Sequence, residues 1–345
     1  MEGINGQGAI FIGYYFSNGN RDISHNSNSF TNCNFSNNHL NGTDGKGGGG
    51  GGQGGAIYFE NSQNNTLAFC VFSNNSAQIR GVIASIDSQL FISSSNFTNN
   101  FAARGGNGGA ISLNYLYANY DFECFDCRFE QNSVSSLPNL IGKGGAFYVQ
   151  SAFVQNPSIS FNSCYFEGNK ALNYSSDGTE AGGYGGALSL SLGNYQINIT
   201  NSHFFQNQAL GKGSAIYILE GSSNVFQNCS FYENYENNET QTHSIDIVRG
   251  YNQFQNCQFE NNSSLIPTSQ SATPQSNSIA IVGGIENKFE NTECNDYWFP
   301  KIQNNSQNTF CITCEFFLSV SFYFYYYSSF SFCFFLLFFF LQNFK

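Results

Sequence analysis

One pattern of apolar and polar positions returns along almost the whole chain: an aromatic residue, two further residues, then Asn. It occurs at Phe35–Asn38, Phe72–Asn75, Phe97–Asn100, Phe129–Asn132, Phe166–Asn169, Phe204–Asn207, Phe231–Asn234 and Phe259–Asn262. Two positions before each Phe stands a small residue: Cys33, Cys70, Ser95, Cys127, Cys164, Ser202, Cys229 or Cys257. A small residue and a Phe two apart share one face of a strand. A decayed ninth copy, Asn287-Lys288-Phe289-Glu290-Asn291, matches Asn252-Gln253-Phe254-Gln255-Asn256. A second motif, Gly-Gly-Ala followed by an apolar residue, alternates with the first at Gly54–Ile57, Gly108–Ile111, Gly144–Phe147 and Gly185–Leu188. Weaker forms stand at Gly8–Ile10, Gly81–Ile83 and Gly213–Ile216, and runs such as Ile57-Tyr58-Phe59 after the glycines predict short strands.

The spacing between successive Phe positions is 37, 25, 32, 37, 38, 27 and 28. The shortest spacing suits one coil of a parallel β-solenoid, built from two or three short strands and tight turns. The excess falls at one phase, as in 42–52, 133–143, 170–182 and 263–276, which predicts loops stacked on one side. Coils stacked about 4.8 Å apart in register put each slot on its own copies. Phe then forms an interior aromatic stack and Cys or Ser a small-residue stack. Asn forms an amide ladder at a turn, and the glycine pair makes a tight bend with positive φ. The expectation is an all-β parallel β-helix of about nine coils, a rod of about 40 Å.

The alternation of Gly-Gly-Ala-Ile with Phe-x-x-Asn resembles the repeat of the polymorphic outer-membrane protein family, the Pmp repeat, over roughly residues 8–295. That resemblance implies a right-handed parallel β-helix related in shape to pectin lyases, and a role in surface display and adhesion. Bacterial members carry a large C-terminal translocator barrel, for which this chain has no room.

The ends add a membrane expectation. Residues 316–341 contain no charge, Gly or Pro, and about 20 such residues span a bilayer as a helix. They are read as a transmembrane segment that follows a β-helix domain over 1–297 and a Cys-containing linker over 298–315. Met1–Ile10 carries neither a basic nor an apolar leader and reads as the inside of a coil, as in a chain lacking its N-terminal part. Composition narrows the partners. Twelve Lys and Arg against 23 Asp and Glu give a net charge of -11, too few cations for a nucleic-acid-binding face.

Six of the eleven Cys occupy the small slot as neighbouring pairs. Adjacent coils allow the disulfides Cys33–Cys70, Cys127–Cys164 and Cys229–Cys257 by Cα separation. A reduced thiol stack is the weightier reading, because in-register side chains point alike. Cys124-x-x-Cys127 and Cys311-x-x-Cys314 lie far apart with no His pair beside them, so no zinc site and no cofactor is expected. Among many Asn-x-Ser/Thr sequons, Asn41, Asn173 and Asn238 fall in predicted loops and are the better glycan acceptors.

No catalytic constellation emerges. The Gly-rich run 45–55 lacks the Gly-Lys-Ser/Thr of a phosphate loop. His25, His39, His203 and His243 share no ligand spacing. Glu130 and Glu167 occupy matching slots on adjacent coils, near the carboxylate separation of a retaining glycosidase, with Glu260 in the same slot further along. The function expected is therefore non-enzymatic: a membrane-anchored protein of the cell surface that binds glycans or surface proteins. The alternative is a pectin lyase-like enzyme acting on polysaccharide.

Overall fold

A computed structural model describes residues 9–13, 27–40, 52–103, 106–115, 120–136, 141–151, 158–173, 183–191, 195–221, 223–236, 243–264, 279–282, 286–294, 301–303 and 307–311. Over these the chain is a right-handed parallel β-helix. Each full coil runs through four sheets. In one coil these strands are Ile57–Glu60 (sheet 1), Asn65–Ala68 (sheet 2), Val71–Ser73 (sheet 3) and Ser76–Ala77 (sheet 4). Sheets 1 and 2 each have ten strands, sheet 3 nine and sheet 4 seven, every pairing parallel between successive coils.

The repeat slots stack as their chemistry requires. Phe35, Phe72, Phe97, Phe129, Phe166, Phe204, Phe231 and Phe259 form one column in sheet 3, with ring centroids 4.7–4.9 Å apart and planes within 4–6°. A second column, Phe226, Phe254 and Phe289, lies in sheet 2. The Asn slot sits at the turn from sheet 3 to sheet 4. Asn38, Asn75, Asn100, Asn132, Asn169, Asn207, Asn234 and Asn262 form an unbroken ladder. Each Nδ2 donates to the Oδ1 of the next rung at 2.8–3.1 Å. From Asn75 onward each also donates to the backbone oxygen of the Phe one coil back. The buried amides are satisfied by their own copies, which is what permits a polar column inside a solenoid.

Besides the glycine bend, two turns per coil hold a left-handed residue. Before the small slot it is Asn32, Phe69, Ser94, Asp126, Ser163, Asn201, Asn228, Asn256 or Asn291. Before the ladder it is Asn37, Asn74, Asn99, Gln131, Gly168, Gln206, Glu233 or Asn261. Asn tolerates this region best among residues with a side chain. The glycine pair answers two separate demands. Gly144 has φ +66, and a Cβ there would lie 2.0 Å from the Phe147 oxygen. A Cβ on Gly145 would meet the Gly186 oxygen at 2.1 Å, so the second glycine serves close backbone approach.

Three expectations are revised. The described strands make ten coils, not about nine. Lys301–Gln303 and Gln307–Cys311 pair with Ala280–Val282 and Glu286–Glu290, so the solenoid continues into the segment expected to be linker, 298–315. The loops expected over 133–143 and 170–182 begin with strands of sheet 4, Ser133–Ser136 and Lys170–Asn173. A coil has four strands instead of two or three, because the residues after the ladder Asn pair once more before the insertion. The expected transmembrane segment, 316–341, lies outside the described residues. Among the described residues no helix is long and apolar enough to cross a membrane.

Candidate binding surface

The outer face of sheet 3 is built by register. Alternation along each strand turns Phe inward and its two neighbours outward. The first outward column runs Asn34, Val71, Asn96, Arg128, Tyr165, His203, Ser230 and Gln258. The second runs Ser36, Ser73, Thr98, Glu130, Glu167, Phe205, Tyr232 and Glu260. The two columns interact laterally. Arg128 donates through Nε to Glu130 at 2.6 Å, lies 4.0 Å from a Glu167 oxygen, and stands 4.8 Å over the Tyr165 ring. His203 Nδ1 lies 2.6 Å from the Ser230 hydroxyl, and Tyr232 donates to Glu260.

At the corner between sheets 2 and 3 this face gains exposed apolar groups. Phe69 is 59% exposed, Phe125 52% and Val71 36%, at positions where neighbouring coils carry polar residues. Register places Phe125 two coils from Ala68, the neighbour of Phe69, with Ser93 between them, about 10 Å along the stack. Ser94 donates to Asp126 on the same corner at 3.0 Å. Phe69 holds a left-handed backbone, φ 54, which costs a non-glycine residue on the order of 1 kcal/mol. An exposed Phe in that conformation is favoured neither by burial nor by backbone. Further along the same corner an exposed amide ladder runs Asn256, Asn228, Asn201, Asn162 with each Nδ2 donating at 3.0–3.2 Å.

The carboxylates do not form a cleft. Glu130 and Glu167 are in register on adjacent coils, as expected, but on an open strand face and beside Arg128. Glu260 stands three coils beyond Glu167, behind Phe205 and Tyr232.

Sheet 1 differs in being buried on both faces. Its outward residues Tyr58, Tyr148 and Tyr217 are 3–7% exposed, and burial pushes Tyr148 and Tyr217 up to about 12. A bridge column at the bend before this sheet, Gln53, Arg80, Asn107, Lys143, Tyr184 and Lys212, sets cations beside those rings. Lys143 Nζ lies 5.9 Å from the Tyr148 ring centre, and burial lowers the Arg80 and Lys143 values.

The cysteines of the small slot stack one above another, Cys33 on Cys70, Cys127 on Cys164 and Cys229 on Cys257, yet all are free thiols. In this structure the three inter-coil disulfides are not formed, and the stacked sulfurs stand as neighbouring thiols. Cys124, which the repeat does not explain, comes close to Cys127 and Cys164. Asn41 and Asn238 lie outside the described residues, and Asn173 ends a strand of sheet 4. The sequons at Asn34, Asn96 and Asn228 face solvent, whereas that at Asn262 is closed because the side chain is a buried ladder rung. No protein-family model, no curated protein and no solved structure matches the chain.

Proposed function

We propose that the chain is a non-enzymatic, membrane-anchored protein of the cell surface, with a β-helix of the polymorphic outer-membrane protein type that binds an extended ligand. The ligand class is a glycan or a repetitive surface protein. The observation that carries the reading is Phe69, an exposed aromatic kept in a left-handed conformation on the corner that also exposes Val71 and Phe125. Selection for stability alone favours Asn there, as in Asn32 and Asn201 of the same slot. An exposed apolar cluster on a rigid flat face, rimmed by Asn96, Arg128 and Glu130, has the make-up of a binding patch. The face repeats its groups every coil, which suits a ligand that repeats as well. The anchor is the uncharged stretch 316–341, on hydropathy.

The test joins topology to binding. Cells expressing the chain tagged at both ends are extracted with carbonate and treated intact with protease. Membrane retention with external cleavage of the β-helix supports the anchor, and release into the soluble fraction removes it. Purified β-helix is then screened on a glycan array, where Phe69→Asn with Phe125→Ser should lose tenfold or more of any binding. Equal binding by that variant excludes the patch.

The adjacent pair Glu130 and Glu167 supports a second reading, hydrolysis or lyase chemistry on a polysaccharide. Reducing-end release from uronic and neutral polysaccharides, abolished in Glu130→Gln and Glu167→Gln, would establish it in place of the first.

A further inference from the structure

The core departs from its repeat at one inward slot of sheet 2. Successive coils place Leu67, Ile92, Cys124, Phe161, Ile199 and Phe226 there. Five are large and apolar, and the sixth is Cys124. The exchange occurs at the coil where the small slot also holds two stacked sulfurs, Cys127 and Cys164. The Sγ atoms of all three lie within 4.8 Å of one another, and the residues are 2%, 1% and 0% exposed. Among the described residues this is the one group of three metal-ligating side chains that comes together. A Cys where the column otherwise uses Leu, Ile or Phe forgoes apolar contact, and the third sulfur is what it supplies in return.

We propose that Cys124, Cys127 and Cys164 form a trigonal thiolate site for copper(I). Three soft donors and no harder one select a soft cation. Metal–thiolate bonds of about 2.3 Å in a plane put the sulfurs about 4 Å apart, a contraction of less than about 1 Å from the widest separation here. Zinc takes a fourth ligand, from protein or water, and these residues are shut off from water by the Ile92 and Phe161 rungs of their column. A monovalent d10 ion is content with three. Binding is a proton exchange without electron transfer: each S–H bond broken gives one proton to solvent and one Cu–S bond, up to three protons per Cu(I). Burial raises the Cys124 and Cys127 thiols. The single positive charge of the ion offsets part of the cost of burying the thiolates it binds. Because the sulfurs are sealed, the metal enters as the coils close around it. The inference is independent of the surface-binding reading.

The test uses the full chain refolded without oxygen in the presence of Cu(I), supplied as its acetonitrile complex with a colorimetric Cu(I) chelator as competitor. Copper per chain is measured after desalting, and the metal environment by X-ray absorption. About one copper per chain with three sulfur neighbours is expected. Cys124→Ile, which copies the Ile92 rung, and Cys124→Ser, which keeps the volume, should each cut retention tenfold or more, so one misfolded variant does not decide the result. Cys229→Ser, in the other buried pair, should retain the metal. Copper retention by Cys124→Ser equal to the parent overturns the proposal, as does no uptake by the parent. A disulfide among the three found by peptide mapping of the chain isolated from cells overturns it too.

Discussion

Asn132 is the most exposing test of how this solenoid is held. Its side chain is fully buried and makes four hydrogen bonds: Nδ2 donates to the Phe97 oxygen at 2.9 Å and to Asn169 Oδ1 at 3.0 Å, while Oδ1 accepts from Asn100 N and Nδ2, both at 3.0 Å. In Asn132→Ala two donors lose their partner, the Asn100 N–H and one Asn100 amide hydrogen, while the Phe97 oxygen, on a strand paired in register with Arg128–Glu130, loses one of its bonds. Asn169 Oδ1 keeps the bond from the Asn132 backbone N–H at 3.0 Å. A buried polar group left unpaired costs about 1–3 kcal/mol. Two of them, eased by local relaxation, give an expected loss of about 2–4 kcal/mol. Urea unfolding followed by circular dichroism measures it, and hydrogen exchange of a peptide spanning 97–103 locates it. The control is Asn201→Gly, which removes two amide pairs from the exposed ladder while keeping the left-handed turn; it should cost less than about 1 kcal/mol. A loss below about 1 kcal/mol for Asn132→Ala, or an equal loss for Asn201→Gly, would refute burial as the source of the ladder's strength.

Other expectations follow from the same packing. Phe129→Ala removes a ring stacked between Phe97 and Phe166 and should cost about 3–5 kcal/mol by thermal or urea unfolding; an unchanged melting temperature would sink the core assignment. Phe69→Asn should raise stability by about 0.5–1 kcal/mol by easing the left-handed strain, and a fall would mean the ring is held by contacts of its own. Burial raises Glu60 above its ordinary 4.5, against a Tyr58 hydrogen bond and Arg80, which lower it. Relative to the unfolded chain the fold therefore favours the neutral carboxyl, and that contribution is present at low pH and fades as pH rises through the raised value. Glu60→Gln should unfold with the parent near pH 4 and at higher urea than the parent at pH 7; a gap that narrows as pH rises reverses the sign of the argument.

The columns were legible because their slots are chemically narrow. Phe, the small residue and Asn each recur at fixed offsets, and stacking a slot on itself predicts both the ring column and the amide ladder. The tenth coil was not, because it lacks both Gly-Gly-Ala and Phe-x-x-Asn; its trace is Asn308-Thr309-Phe310, in register with Asn287-Lys288-Phe289. The left-handed turns beside the small slot and the ladder were not legible, least of all at Phe69, Gln131 and Glu233, whose residue types do not announce that conformation. Cys124 was passed over for a different reason. Its importance comes from Cys164, forty residues on, and only the register of sheet 2 against the small slot brings them together.

The ladder also bears on how such a chain could change length. Every rung accepts on one side and donates on the other through the same amide, so any two rungs are compatible neighbours. Excising residues 70–94, one coil from Cys70 to Ser94, would bring Asn38 against Asn100 with no bond type altered. Such a deletion is a whole-period cut, and the product is a shorter rod with the same cross-section. Unequal recombination between copies of the repeat would thus yield folded products of graded length, whereas a cut of a few residues inside a strand would put Phe outside and shift every column above it.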